Sequence, residues 1–100
     1  MLDTLTLDAF TPLVGTVFQG ADDTGAAAGD FTLVEARSLA SPATRAEAAR
    51  RLREPFSLLF TGPATPTLPQ RTYRLTQPRL GAVEIFLVPI GPGRYEAIFT

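Results

Sequence analysis

Arg71-Thr72-Tyr73-Arg74-Leu75-Thr76-Gln77, then Pro78-Arg79-Leu80-Gly81, then Ala82-Val83-Glu84-Ile85-Phe86-Leu87-Val88-Pro89 is the stretch that decides the fold. Successive side chains of a strand point to opposite faces, so alternation sorts residues onto two surfaces. Thr72, Arg74 and Thr76 share one face of the first segment, and Arg71, Tyr73, Leu75 and Gln77 share the other. This is the pattern of a half-exposed strand. In the second segment Val83, Ile85, Leu87 and Pro89 oppose Glu84, Phe86 and Val88, so both faces are partly covered. Between the segments, Pro78 sits early in a reversal and Gly81 late in it, where a positive φ is needed. The stretch reads as a β-hairpin.

Working outward, Phe56-Ser57-Leu58-Leu59-Phe60-Thr61 places Phe56, Leu58 and Phe60 on one face before Gly62 and Pro63 stop the run. Pro66 and Pro69 hold the next connection extended, without ladder donors. Gly91-Pro92-Gly93 is a turn, after which Tyr95, Ala97 and Phe99 oppose Glu96 and Ile98 up to Thr100. Toward the N-terminus, Phe31 to Leu39 alternates, with Phe31, Leu33 and Glu35 on one side. Gly20 to Gly29 reads as a mobile connection and Thr16 to Gln19 as a short strand. Thr6 or Asp8 caps a helical turn in which Phe10, Leu13 and Val14 share a face and Gly15 ends it. Ser41-Pro42 followed by Ala43 to Arg53 is the strongest local helix signal, a candidate helix at 42–53 with only small residues to bury. It is either a solvent-covering helix or a partly ordered excursion.

Six short strands joined by Gly and Pro predict a mainly all-β chain, a small antiparallel barrel or sandwich with a short N-terminal helical turn. The order expected after residue 55 is a meander. At 100 residues the chain has room for a single β-rich domain, residues 1–100. A strand running to the last residue needs its edge paired, covered or used by a neighbour, which points to partners.

Composition narrows the chemistry. The chain has no Cys, which excludes disulfides, thiolate catalysis and Cys-ligated zinc, and no His, which excludes the usual triads. Nine basic and ten acidic residues leave a net charge of -1, which argues against binding nucleic acid. The longest apolar runs, such as Ala82 to Ile90, fall short of the roughly 18 to 20 residues of a membrane helix, so no membrane insertion is expected. The opening residues lack a secretory pattern, which implies cytoplasmic synthesis and leaves the final location open, assembly into an extracellular or virion-like structure included. Asp22-Asp23 between Gly20 and Gly25 lacks the spacing of a calcium loop and reads as a solvated turn. Arg45, Arg50, Arg51 and Arg53 are diluted by Glu47 and Glu54 and read as a solvated helix face. Glu35, Glu84 and Glu96 form no pair legible in the spacing. No catalytic residue, cofactor or metal ligand is therefore expected.

Leu68-Pro69-Gln70-Arg71-Thr72-Tyr73-Arg74-Leu75, Pro78-Arg79-Leu80-Gly81, Phe86-Leu87-Val88-Pro89-Ile90-Gly91-Pro92 and Tyr95-Glu96-Ala97-Ile98-Phe99 together resemble DUF6916, a bacterial family of unknown function. Phe10 to Phe18 and Glu54 to Phe60 extend the similarity across most of the chain. Arg71 stands where relatives tend to carry Gly. The resemblance implies no activity and maps no catalytic residue. It does bring the expectation that genes of the family lie beside those for tail-collar-like proteins related to phage tail fibres, which suggests an assembly or surface-structure role.

The functional expectation is a non-enzymatic structural or interaction protein, a self-assembling subunit or accessory of a phage-tail-like or surface fibre. Its partner is a copy of itself or a fibre-like protein, with a homo-oligomer expected. The interface candidates are Phe86, Val88, Tyr95, Ile98 and Phe99 of the final hairpin. The alternative is a small-molecule or carbohydrate-binding β-barrel with an interior pocket lined by apolar residues and polar groups such as Arg74 or Tyr73.

Overall fold

In the computed structural model, which describes residues 5–39 and 55–99, alternation becomes a closed antiparallel barrel. The candidate helix at 42–53 and the Arg cluster within it lie outside the described residues. Six strands, β1 (Val17–Ala21), β2 (Ala27–Ser38), β3 (Phe56–Thr61), β4 (Arg71–Gln77), β5 (Gly81–Gly91) and β6 (Arg94–Phe99), close in the order β1-β2-β3-β6-β5-β4. The expected meander therefore holds for β4, β5 and β6 only. β3 pairs with β6, Phe56 opposite Phe99 and Phe60 opposite Tyr95, so the chain leaves β3 and crosses to β4 without pairing to it. Of the three fates open to the edge of the final strand, closure selects pairing within the same chain. β6 is bonded to β3 on one side and β5 on the other, and the circuit is completed by β4 against β1.

The decisive hairpin forms as its residues dictate. β4 and β5 pair in unbroken register from Arg71 opposite Leu87 to Gln77 opposite Gly81. Gly81 has φ +87°, which a residue with a Cβ rarely adopts, so glycine is what lets the turn stay this short. Gln77 is buried, and its Oε1 accepts bonds from the amides of Arg79 (2.6 Å) and Leu80 (3.2 Å). Its Nε2 donates to Thr16 Oγ1 at 3.3 Å, tying the turn to the start of β1.

The inward faces fill the barrel. Phe18, Phe31, Leu33, Leu58, Phe60, Tyr73, Leu75, Ile85, Leu87, Tyr95 and Ala97 are all buried. Phe31 lies at the centre of an aromatic group, with ring centroids 5.4 Å from Tyr95, 6.0 Å from Tyr73 and 6.4 Å from Phe60. Edge-on and tilted contacts of this kind add to the area term that drives burial. The space along the axis is taken by side chains, so the groups that remain for a ligand lie on the outside.

One end of the barrel is closed by α1 (Leu7–Phe10) and the 3-10 turn Thr11–Leu13. Thr6 caps α1, its Oγ1 accepting from Ala9 N at 3.3 Å. Phe10 packs on Phe56 (5.9 Å) and Phe99 (5.8 Å), and Leu13 is buried beside them in the same core. Val14, expected on that same face, is 42 % exposed, because the chain turns extended at Val14 instead of continuing the helix. The other end is covered by residues 62–70. Tyr95 Oη donates to Pro63 O and accepts from Leu68 N at 2.9 Å, while Tyr73 Oη donates to Pro69 O at 2.6 Å.

Two further expectations are corrected. Residues 20–29 are not a mobile connection: β1 continues to Ala21, β2 begins at Ala27, and a compact turn joins them. Asp22 Oδ1 holds that turn by accepting from Thr24 N (2.9 Å), Thr24 Oγ1 (2.6 Å) and Ala26 N (3.1 Å). Glu35 does not follow Phe31 and Leu33 inward, because a β-bulge between Leu33 and Glu35 shifts the register against β3. Ala36 takes the inward place instead and packs against the core.

Candidate functional site

The exposed groups of the barrel lie on its outward faces. The strand pairing assigns those faces residue by residue. On β5, Glu84 and Phe86 point outward, and Phe86 is 50 % exposed. It sits directly opposite Thr72 of β4. On β6, Ile98 points outward and is 52 % exposed, opposite Ser57 of β3. Val88 is half-buried and pairs with Glu96. Carried two residues past its last rung, that register sets Phe86 level with Ile98. Ile90, at the bulge between Pro89 and Gly91, is exposed and extends the apolar character of β5.

Three of the five expected interface residues thus lie on the outside, and two do not. Tyr95 is buried completely, its ring against Phe31 and its hydroxyl holding the 62–70 connection, so no face of it reaches a partner. Phe99 is half-buried, stacked on Phe56 at 4.5 Å with 6° between the rings, where it helps hold α1. Tyr95, Ala97 and Phe99 form the inward face of β6, and the outward face is Glu96 and Ile98. Alternation had grouped these residues correctly without saying which group faces in.

A second outward region was not singled out from the sequence. A depression of about 470 Å3 lies between the β1–β2 turn and the outward face of β4 and β5. Asp22, Asp23 and Thr24 form one wall, and Thr72, Arg74 and Glu84 the other. Ala21 and Gly25 are the small residues that leave it open. Arg74 Nη2 donates to Glu84 Oε2 at 3.2 Å across the β4–β5 pair, and Arg71 Nη2 lies 3.8 Å from Asp23 Oδ1. Both ion pairs are exposed, so they are worth little to stability. The signal in the sequence was only the pair Asp22-Asp23, whose neighbours Arg71, Arg74 and Glu84 are brought in by β1 pairing with β4.

Electrostatics separates the groups of this region. The hydrogen bonds from Thr24, side chain first and then backbone, hold the Asp22 carboxyl below its ordinary range, with smaller help from Ala26 N and the Arg71 charge. Asp22 is therefore an anion whose Oδ1 is committed to the turn. Tyr73, beneath the same end of the barrel, is pushed up by burial, with Arg71 acting against that. It stays a neutral phenol that donates to Pro69 O.

No curated protein and no solved structure matches the chain. A family model does match, over residues 5–99, a range that contains all six strands of the barrel and its helical cap. The chain belongs to that family, DUF6916, a domain of unknown function.

Proposed function

We propose that this protein is a non-enzymatic structural or interaction module that docks through the outward face of β5 and β6, on a copy of itself or on a fibre-like protein of a phage-tail-like or surface assembly. The observation that carries this reading is the exposure of Phe86 and Ile98, each about half open to solvent on adjacent strands of a rigid barrel. Large apolar side chains at such positions contribute to folding far less than buried ones, and removing them from water at an interface recovers the difference. Val88, next along the same face of β5, and Ile90 beyond it lengthen the apolar strip, and Glu96 and Arg94 give it a charged border. An apolar centre with a polar rim is the usual anatomy of a docking surface. A closed barrel has no free strand edge, so the contact is made by side chains and not by adding a strand.

Light scattering across a micromolar concentration series tests this, paired with capture of a purified phage-tail-like fibre protein. The expected result is association that the double substitution Phe86→Ser, Ile98→Ser abolishes while the unfolding transition stays in place. A chain that remains monomeric throughout and captures no fibre protein overturns the reading.

A further inference from the structure

We propose that the depression beside the β1–β2 turn, together with the ring of Phe86, is a binding site for a neutral saccharide. This goes beyond the docking role and shares only Phe86 with it.

The argument starts from what lines the space. Its volume of about 470 Å3 lies within the roughly 300 to 1,000 Å3 of small-ligand sites. Its walls carry carboxylates and a guanidinium in alternation: Asp22 and Asp23 on the turn, Arg74 and Glu84 on the sheet. Arg71 adds a second guanidinium against Asp23. Three carboxylates and two guanidiniums leave no excess positive charge for a phosphate or other anion. They do offer donors and acceptors side by side, which is what a ring of hydroxyl groups requires, each hydroxyl both giving and taking a bond. Arg74 spends one N–H on Glu84 and has four more. Asp22 accepts its three bonds at Oδ1, and Oδ2 accepts none from the described residues.

Phe86 supplies the other half of the chemistry. It is directly opposite Thr72, which lines the depression, and two residues from Glu84 on the same face. Directly opposed side chains on antiparallel strands have Cβ atoms about 4.5 to 5.5 Å apart, so Phe86 neighbours the Thr72 wall without itself lining the depression. A pyranose presents hydroxyls at its rim and a patch of C–H bonds on its face. The negative face of an aromatic ring attracts those C–H groups, and the charged side chains alongside take the hydroxyls. An exposed aromatic beside an exposed ion pair is a poor arrangement for stability and a good one for a sugar. The β4–β5 ladder holds these groups in fixed register, so little ordering is needed on binding.

The test is a titration of the full chain followed by nitrogen–proton correlation spectra, with maltose, cellobiose, lactose and diacetylchitobiose as probes. Inorganic phosphate and arginine amide are run separately. At least one disaccharide is expected to give saturable shifts at millimolar concentration in the amides of Asp23, Thr24, Thr72, Arg74, Glu84 and Phe86. Phe86→Leu is expected to weaken that binding at least about fivefold, since it removes the ring. Arg74→Met is expected to weaken it about tenfold, since it removes charge-assisted bonds. Both residues are exposed, so both variants fold. Arg74 lines the depression and lies outside the β5–β6 docking strip, so loss of sugar binding in Arg74→Met with unchanged light scattering separates the two roles. The proposal is overturned if none of the four disaccharides shifts these amides, if both variants bind as the parent does, or if only phosphate or arginine amide binds. None of those outcomes touches the docking reading.

Discussion

Phe31 is gripped between two glycines, and adding one methyl group to either should unsettle the barrel. A Cβ built on Gly20 would lie 2.5 Å from Cε1 and 2.8 Å from Cδ1 of the Phe31 ring. One built on Gly62 would meet the opposite edge, 2.7 Å from Cδ2 and 2.9 Å from Cε2. The ring cannot retreat from Gly20 without pressing on Gly62, and Tyr95, Tyr73 and Phe60 close the remaining sides. Overpacking of this kind costs about 1 to 3 kcal/mol. Replacing glycine stiffens the unfolded chain and returns about 0.4 to 1 kcal/mol. Gly20→Ala is therefore expected to destabilise by about 1.3 kcal/mol, with an upper bound of about 2.6 kcal/mol, the central value being a fall in melting temperature of roughly 5 to 10 °C for a domain of this size. Urea and thermal unfolding followed by circular dichroism measure it. Gly91→Ala is the control, because a Cβ there meets nothing within 4 Å and its φ is not positive. It should be neutral or slightly stabilising. In a Phe31→Leu background the cost of Gly20→Ala should shrink by at least about 0.5 kcal/mol, since the two residues are in contact. An alanine at position 20 that costs nothing, or costs the same with and without the Phe31 ring, refutes the reasoning.

Two other outcomes follow from single hydrogen-bonded groups. Tyr95→Phe keeps the ring but deprives Pro63 O and Leu68 N of their partner, and should lower stability by about 1 to 3 kcal/mol in urea unfolding, where no change would show that the 62–70 connection is held otherwise. Asp22 has its carboxyl held below the ordinary range by Thr24, so the stability it adds is complete above the unfolded-state pKa and is lost as pH falls through the lower folded-state pKa. The urea midpoints of the parent and Asp22→Asn should therefore differ at neutral pH and converge in acid, and a gap that widens on acidification would contradict the assignment.

The parts of this fold legible in advance are those where a local pattern meets a local cause. Phe56, Leu58 and Phe60 alternate and are all fully buried; Tyr73, Leu75 and Gln77 face in where Thr72, Arg74 and Thr76 face out. Gly81 stands where a turn needs positive φ. The β1–β2 turn is not legible in the sequence because Gly20, Ala21, Ala27, Ala28 and Gly29 carry no side chain large enough to mark a face, although the backbone there is paired, with a register shift between Gly20 and Ala21. Tyr95 was misplaced for the opposite reason. Both faces of β6 carry a large apolar residue, Ile98 on one and Tyr95 with Phe99 on the other, and period alone is blind to direction. The depression beside Arg74 was out of reach because its two walls are about fifty residues apart in the chain.

The sequence by itself determined that the chain is built of short strands, where most of them reverse, and that thiolate and imidazole chemistry are excluded. These follow from alternation, from Gly and Pro at the turns, and from residue types that are simply missing. Only the tertiary structure decided that the sheet closes, that β3 pairs with β6 instead of β4, and which face of each strand is inside. Those choices turn on the joint filling of one volume, in which Phe31 fits only because Gly20 and Gly62, forty-two positions apart, both lack a side chain.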